Sequence, residues 1–187
     1  MMIHNEEDVI RLVSEDEWMM DILRSAQSLN LPDWWVCAGF VRSKIWDVLH
    51  EFNARTPLPD IDVIYFDPSN VDEGVEKRYE NLLIMRQPTI PWSVKNQARM
   101  HIVNNDRPYL SSTEAIAKFP ETATALGVKL DEEGKIVMIA PHGIEDVVSF
   151  HIRPTPYFRE TEERMKYYHQ RISKKNWKSI WNKVEVF

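Results

Sequence analysis

Residues 35–67 constrain the fold of this chain more than any other part of its 187-residue sequence. Residues 35–37 (W-V-C) are apolar and predict a short buried strand. The turn that follows contains Gly39 and leads into a predicted helix over residues 40–51. After a polar linker with two prolines, residues 61–66 form a second apolar run and predict another strand. This order of strand, turn, helix and strand indicates an α/β fold.

Two aspartates, Asp60 and Asp62, stand at the start of the second predicted strand. Residues i and i+2 of a strand point to the same face, so both carboxylates should project together. Like charges at that spacing repel, and a divalent cation is a common compensation. We therefore expect a metal site at this position. The alternative is that the pair forms ordinary ion pairs with a nearby lysine or arginine.

The turn before the predicted helix has features of an anion site. Gly39 is expected to give the backbone freedom in φ and to let a phosphate approach closely. The start of the helix offers N–H groups and the positive end of the helix dipole. Arg42, in the first turn, adds a guanidinium that suits a phosphate. A phosphate-binding turn followed by paired aspartates suits nucleotidyl transfer.

These residues resemble the nucleotidyltransferase superfamily of the DNA polymerase β type, and within it a small bacterial family of nucleotidyltransferases. The matching blocks are A-G-F-V-R-S-K-I-W-D, D-I-D-V-I-Y-F-D, W-S-V-K-N-Q-A-R-M-H and A-P-H-G-I-E-D. The resemblance implies an α/β (α+β) fold: a short mixed sheet with flanking helices and an α+β C-terminal extension. It also implies transfer of a nucleoside monophosphate from an NTP to a hydroxyl acceptor. Asp60 and Asp62 would be catalytic and would bind Mg²⁺ (or Mn²⁺), while Gly39, Phe40 and Arg42 would bind the phosphates.

One departure from the superfamily pattern concerns a third carboxylate. Members usually have it on the strand that corresponds to residues 89–95, where this chain has Ser93 and no acid. Either another acid substitutes, with Asp146 as one candidate, or one metal position is weakened. The gap favours a rival interpretation, a nucleotide-binding module of the same fold that has lost turnover. A purely structural interaction protein is a third possibility, but it leaves the paired aspartates and the glycine turn unexplained.

Three polar residues near the third predicted strand are further candidates for substrate binding. Lys95, Asn96 and Arg99 share one flank at helical spacing at the start of a helix predicted over residues 96–105. They either contact the substrate in a cleft or form a buried polar network that orients the core. Both alternatives remain open from the sequence.

The sequence pattern changes after Pro108, at the start of the C-terminal part. S-S-T-E at residues 111–114 is typical of a helix start, with the helix ending at Phe119. Residues 128–140 predict a β-hairpin, and residues 157–171 predict a charged amphipathic helix. We expect either a core over residues 1–107 with residues 108–187 packed on it, or one domain.

The two ends of the chain are also informative. Residues 5–29 predict two helices broken near Val13, with Ser14 and Glu17 as a capping box. Residues 174–183, K-K-N-W-K-S-I-W-N-K, are basic and aromatic. They either bind a polynucleotide by stacking or form a solvated helix with two tryptophans in the core.

Composition limits the functional classes. The formal net charge of −6 disfavours binding of extended nucleic acid, although a local basic cleft remains compatible with it. The absence of a long apolar run disfavours a membrane span, and the single Cys37 cannot form an internal disulfide. A cytoplasmic location is therefore expected. The histidines lack zinc-site spacing, and no P-loop or dinucleotide-binding glycine motif is present.

Overall fold

The computed structural model describes residues 2–187 and contains a five-stranded mixed sheet in the order β3-β2-β1-β4-β5. The strands are β1 (Trp35–Cys37), β2 (Ile61–Tyr65), β3 (Trp92–Asn96), β4 (Gly127–Leu130) and β5 (Ile136–Ile139). The β2–β3 pair is parallel, and the other neighbouring pairs are antiparallel. The predicted short mixed sheet is confirmed. A separate parallel pair joins β6 (His151–Ile152) to β7 (Glu185–Val186).

Helices flank the sheet along the whole chain: α1 (Glu6–Ser14), α2 (Glu17–Gln27), α3 (Gly39–Leu49), α4 (Glu73–Arg86), α5 (Gln97–Val103), α6 (Ser112–Ala117), α7 (Glu145–Val148), α8 (Pro156–Arg159) and α9 (Glu162–Lys175). Short 3-10 helices cover Thr122–Thr124 and Trp177–Ser179. The longer helices α4 and α9 have 14 residues each. Within residues 2–187, no helix combines the length and apolarity that a bilayer crossing requires.

Two predicted helix boundaries differ from the structure. The break between α1 and α2 is capped by Asp16, which accepts a hydrogen bond from the Met19 N–H at 3.1 Å, so the predicted Ser14–Glu17 capping box is wrong. The predicted helix over residues 157–171 is two helices, because Thr161 caps a new start and accepts from the Arg164 N–H at 3.2 Å. In both places an extended capping residue competes with continuation of the helix.

The two faces of the sheet have different environments. One face carries the large hydrophobic core, which includes Val36 from β1, Val63 from β2 and Val94 from β3. The opposite face carries a smaller apolar cluster with Cys37 and Ile64. Since side chains alternate along a strand, this smaller cluster lies on the face toward which Asp62 points. Cys37 is fully buried, as predicted, and burial raises the pKa of its thiol.

Residues on both sides of position 107 share one sheet and one core. Strands β4 and β5 extend the sheet begun by β1–β3, and the C-terminal Trp177 and Trp181 pack on Trp46 with ring centroids 5.8 and 5.1 Å apart. The indole N–H of Trp181 donates to an Asp47 carboxylate oxygen at 2.9 Å. The structure thus supports core packing as the role of the two tail tryptophans.

Candidate functional site

The aspartate pair lies at the edge of the smaller apolar cluster. Asp62 is the second residue of β2 and is half-buried, whereas Asp60 precedes the strand and is exposed. Burial, followed by the negative charge of Asp60, raises the pKa of Asp62 to about 6. Within residues 2–187, neither carboxylate forms an ion pair with a lysine or arginine. Two adjacent carboxylates without an ion-pair partner are a donor set suited to Mg²⁺.

Asp62 lies where two cavities meet. The larger cavity has a volume of about 670 Å³ and the smaller one about 370 Å³. Ala38, Asp62 and Arg171 line both cavities, and Asp60 lines the smaller one. Asp62 therefore faces two adjoining cavities, and each is large enough for part of a substrate.

The turn into α3 differs from the prediction in its strained residue. Ala38, not Gly39, has a positive φ, at 56°. The expectation that Gly39 is needed for its φ is therefore wrong. A Cβ on Gly39 would lie 3.6 Å from Nη2 of Arg42 and 3.8 Å from Leu58, beside the smaller cavity, so the glycine keeps that space open. Unusual backbone at a non-glycine residue is often found at functional sites.

The N-terminus of α3 faces the smaller cavity without a side-chain cap. In the described chain, the N–H groups of Gly39 and Phe40 have no hydrogen-bond acceptor. These N–H groups and the helix dipole suit an anion. Phe40 is 1% exposed, its side chain packs in the core, and it lines neither cavity.

Arg42 is a buried cation beside the same cavity. It is 6% exposed and lies over the rings of Trp46, Trp177 and Trp181, at 5.0, 4.3 and 5.5 Å from their centroids. Its Nη2 donates to the Ser43 hydroxyl at 3.0 Å. Nε has no partner, and no carboxylate in residues 2–187 forms an ion pair with the guanidinium. Burial lowers the pKa of Arg42 to about 10, which leaves it charged at neutral pH.

The three polar candidates near the third strand, Lys95, Asn96 and Arg99, lie in different places. Lys95 lines the larger cavity, and its Nζ is 3.8 Å from a carboxylate oxygen of Glu76. Arg99 forms a bidentate ion pair with the fully buried Glu76, in which its Nε and Nη2 donate to Oε1 and Oε2 at 2.8 and 2.9 Å. Asn96 caps α5 and binds the backbone of Asp67. Neither Arg99 nor Asn96 lines either cavity, so the structure places these two in a polar network that orders the sheet edge.

Asp146 does not join the aspartate pair. It accepts a hydrogen bond from the Thr122 hydroxyl at 2.6 Å and forms an ion pair with Arg153, and it lines neither cavity. Across residues 2–187 there is no cluster of three or more histidine, cysteine or acidic side chains that could hold a metal. Asp146, the sequence candidate for the missing carboxylate, therefore binds Thr122 and Arg153 and does not lie beside Asp62.

Two cations at the site were missed from the sequence. Arg171 lines both cavities and Lys175 lines the smaller one. They are separated by one helical turn of α9, so they share a flank. The i, i+4 spacing of two basic residues was the available signal, but it did not show that α9 lies against the aspartate pair.

Comparisons with known proteins agree on the type of fold. A family model described as "Nucleotidyltransferase" matches residues 24–186. A structure described as "The NMR structure of the protein reveals a CCA-adding enzyme head domain" is 37% identical, with a TM-score of 0.88 over 99% of this chain and 97% of that chain. A structure described as "tRNA-processing enzyme (apo form I)" is 16% identical with a TM-score of 0.51, over 82% of this chain and 40% of that chain. No curated protein matches the chain.

Proposed function

This chain belongs to the nucleotidyltransferase family, and from that premise we propose that it transfers a nucleoside monophosphate from an NTP to a hydroxyl acceptor in a metal-dependent reaction. The observation that carries the proposal is the position of Asp62 between two cavities, one of them lined by an unpaired buried arginine. A transferase needs a donor site and an acceptor site that meet at the reacting phosphorus.

The metal is proposed to bind at Asp60 and Asp62. Their carboxylates form no ion pair with a lysine or arginine in the described chain, and their mutual repulsion is relieved when a cation binds. Bound Mg²⁺ or Mn²⁺ would neutralise phosphate charge and help to orient the reacting groups. The donor set fits either ion, since both prefer oxygen ligands.

The triphosphate is proposed to occupy the smaller cavity. The N–H groups of Gly39 and Phe40 would donate to the β- and γ-phosphates, and Arg42 would supply a buried positive charge. Lys175 adds a second cation at the rim. Desolvated cations bind phosphate more strongly than exposed ones, because water competes less.

The acceptor is proposed to occupy the larger cavity, on the other side of Asp62. Its volume of about 670 Å³ suits a small molecule or the end of a larger one. Its lining includes Lys95, which would bind a polar or anionic part of the acceptor. Because the relative at 37% identity is described as a CCA-adding enzyme head domain, CTP and ATP are the donors to test first.

The direct test is product formation. Labelled CTP or ATP is incubated with the protein, Mn²⁺ and candidate hydroxyl acceptors, and pyrophosphate release is measured together with label transfer. We expect metal-dependent release that increases with the correct acceptor. Binding of CTP or ATP without any product, over a broad acceptor set, would contradict transfer.

A second candidate function is nucleotide binding without turnover. It is favoured by Ser93, which lies where the superfamily usually has a third carboxylate. That carboxylate commonly helps to bind the catalytic metal. In this case NTP affinity would be retained, and pyrophosphate release would be absent.

A further inference from the structure

Arg171 occupies a distinctive position at the site. It projects from α9 and lines both the smaller and the larger cavity, together with Asp62 and Ala38. The other arginine of the smaller cavity, Arg42, does not line the larger one. Arg171 therefore lies at the junction between the proposed donor and acceptor spaces.

The guanidinium of Arg171 is oriented from one side. Its Nε donates to Oε1 of Glu121 at 2.5 Å, and its Nη2 lies 3.5 Å from Oε2 of the same carboxylate. Glu121 is fully buried and also accepts a hydrogen bond from the Thr124 hydroxyl at 2.7 Å. A buried carboxylate that binds a guanidinium through both of its oxygens fixes the plane of that guanidinium.

The opposite edge of the guanidinium is free. Within residues 2–187, Nη1 of Arg171 has no hydrogen-bond acceptor, although the side chain is only 26% exposed. Neutralisation of Glu121 requires only the side of the guanidinium that carries Nε and Nη2. It therefore does not explain why Arg171 lines both cavities beside Asp62. The free edge is available to a phosphate oxygen at the junction.

We propose that Arg171 is a catalytic residue that binds the phosphoryl group being transferred, an inference that rests on the proposed function. The acceptor oxygen forms a bond to the α-phosphorus while the bond from that phosphorus to the α–β bridging oxygen breaks. Pyrophosphate leaves with the electron pair, and the acceptor proton passes to water. Arg171 donates from Nη1 to a non-bridging α-phosphate oxygen, whose interaction with this cation strengthens as charge redistributes in the transition state.

The assignment separates the roles of the two arginines. Arg171 serves the α-phosphate, whereas Arg42 serves the β- and γ-phosphates that leave as pyrophosphate. A nucleoside monophosphate and inorganic pyrophosphate therefore probe different subsites. Their affinities can be measured by calorimetry with Mg²⁺ and with CMP, AMP or pyrophosphate as the probe, without knowledge of the acceptor.

The variants are chosen so that folding does not obscure the result. Arg171→Lys keeps a positive charge beside Glu121 but removes the planar donor. The double variant Arg171→Met/Glu121→Gln removes both charges, so no buried carboxylate is left unpaired. Arg42→Met is the matched comparison in the smaller cavity, and melting temperature controls for folding.

We expect both Arg171 variants to weaken CMP or AMP binding about tenfold or more, the loss of a charge-assisted hydrogen bond, with pyrophosphate affinity changed less than about threefold. Arg42→Met should give the reverse pattern. If the parent protein binds CTP but the Arg171 variants bind CMP, AMP and pyrophosphate as the parent does, the inference is overturned and the proposed function stands. Equal losses for all probes also overturn it. A parent protein that binds neither CTP nor ATP with Mg²⁺ overturns the proposed function and the inference together.

Discussion

Ser93 lies directly opposite Asp62 in the parallel register of β2 and β3. Its hydroxyl lowers the pKa of Asp62, against the larger opposing effects of burial and of Asp60. A carboxylate at position 93 would instead face the same space as Asp62. The neighbouring strand thus has the geometry for a third metal ligand but carries a neutral group.

The first prediction restores that ligand. Ser93→Asp should increase Mn²⁺ affinity about tenfold, because a third carboxylate adds charge and one more oxygen donor. The metal-free protein should lose stability through repulsion with Asp62. Ser93→Asn is the control, because asparagine has the same size as aspartate but carries no charge. Mn²⁺ titration followed by calorimetry measures the effect, and equal affinity for the two variants would argue against a metal at this face.

The second prediction concerns pH and Asp62. Its pKa is raised from 3.8 to about 6, so the folded protein retains a proton that the unfolded chain has already lost. The free energy of unfolding of the metal-free protein should therefore fall as pH rises from about 4 to about 6, by up to about 3 kcal/mol. Below pH 4 both states are protonated at Asp62 and the cost disappears.

Asp62→Asn provides the comparison for this pH effect. Its unfolding free energy should exceed that of the parent at pH 7, and the two should converge below pH 4. Mg²⁺ affinity of the parent should increase as pH rises through about 6, because the ligand must lose its proton. Urea denaturation at several pH values measures the first part. A parallel pH dependence in both proteins would exclude Asp62 as the source.

The third prediction concerns the space beside Gly39. Gly39→Ala and Gly39→Val should both fold, since φ at this position is not positive and a Cβ makes only ordinary contacts. Both should weaken CTP or ATP binding, Ala about tenfold and Val more, because the added atoms lie where phosphate is proposed to bind. Melting temperature and calorimetry separate folding from binding. Parent-like affinity in a folded Gly39→Val variant would remove this turn from the site.

The fourth prediction distinguishes the network at Arg99 from the site. Arg99→Met should destabilise the protein by about 3–5 kcal/mol, because it leaves the fully buried Glu76 without its main partner. The double variant with Glu76→Gln should recover much of that loss. NTP affinity of the folded protein should stay within about threefold of the parent. A large loss of affinity with unchanged stability would place Arg99 in contact with substrate.

The local elements of the site could be predicted from the sequence, because they depend on short-range patterns. The strand, turn, helix and strand over residues 35–67 follow from apolar periodicity and from the glycine and proline positions. The placement of Asp62 on the face opposite to Val63 follows from strand alternation. These features require no knowledge of distant contacts.

The parts that could not be predicted depend on distant contacts. Ala38 takes the positive φ while its N–H donates to the carbonyl of Leu126, on the neighbouring segment of the sheet. The Arg171–Glu121 ion pair joins residues fifty positions apart. Whether a basic residue of α9 reaches the aspartate pair is decided by how the C-terminal helices fold back, and helical periodicity alone does not contain that information.

The most direct test of the metal site is the thermal stability of the parent and of Asp60→Asn/Asp62→Asn, each with and without Mn²⁺ and CTP or ATP. We expect the double variant to be at least as stable as the parent without ligand, because the repulsion between the carboxylates is gone. We also expect Mn²⁺ with CTP or ATP to raise the melting temperature of the parent but not of the variant, since a ligand stabilises only the state that binds it. A strong loss of ligand-free stability in the variant, together with no ligand-induced shift in the parent, would contradict the metal site.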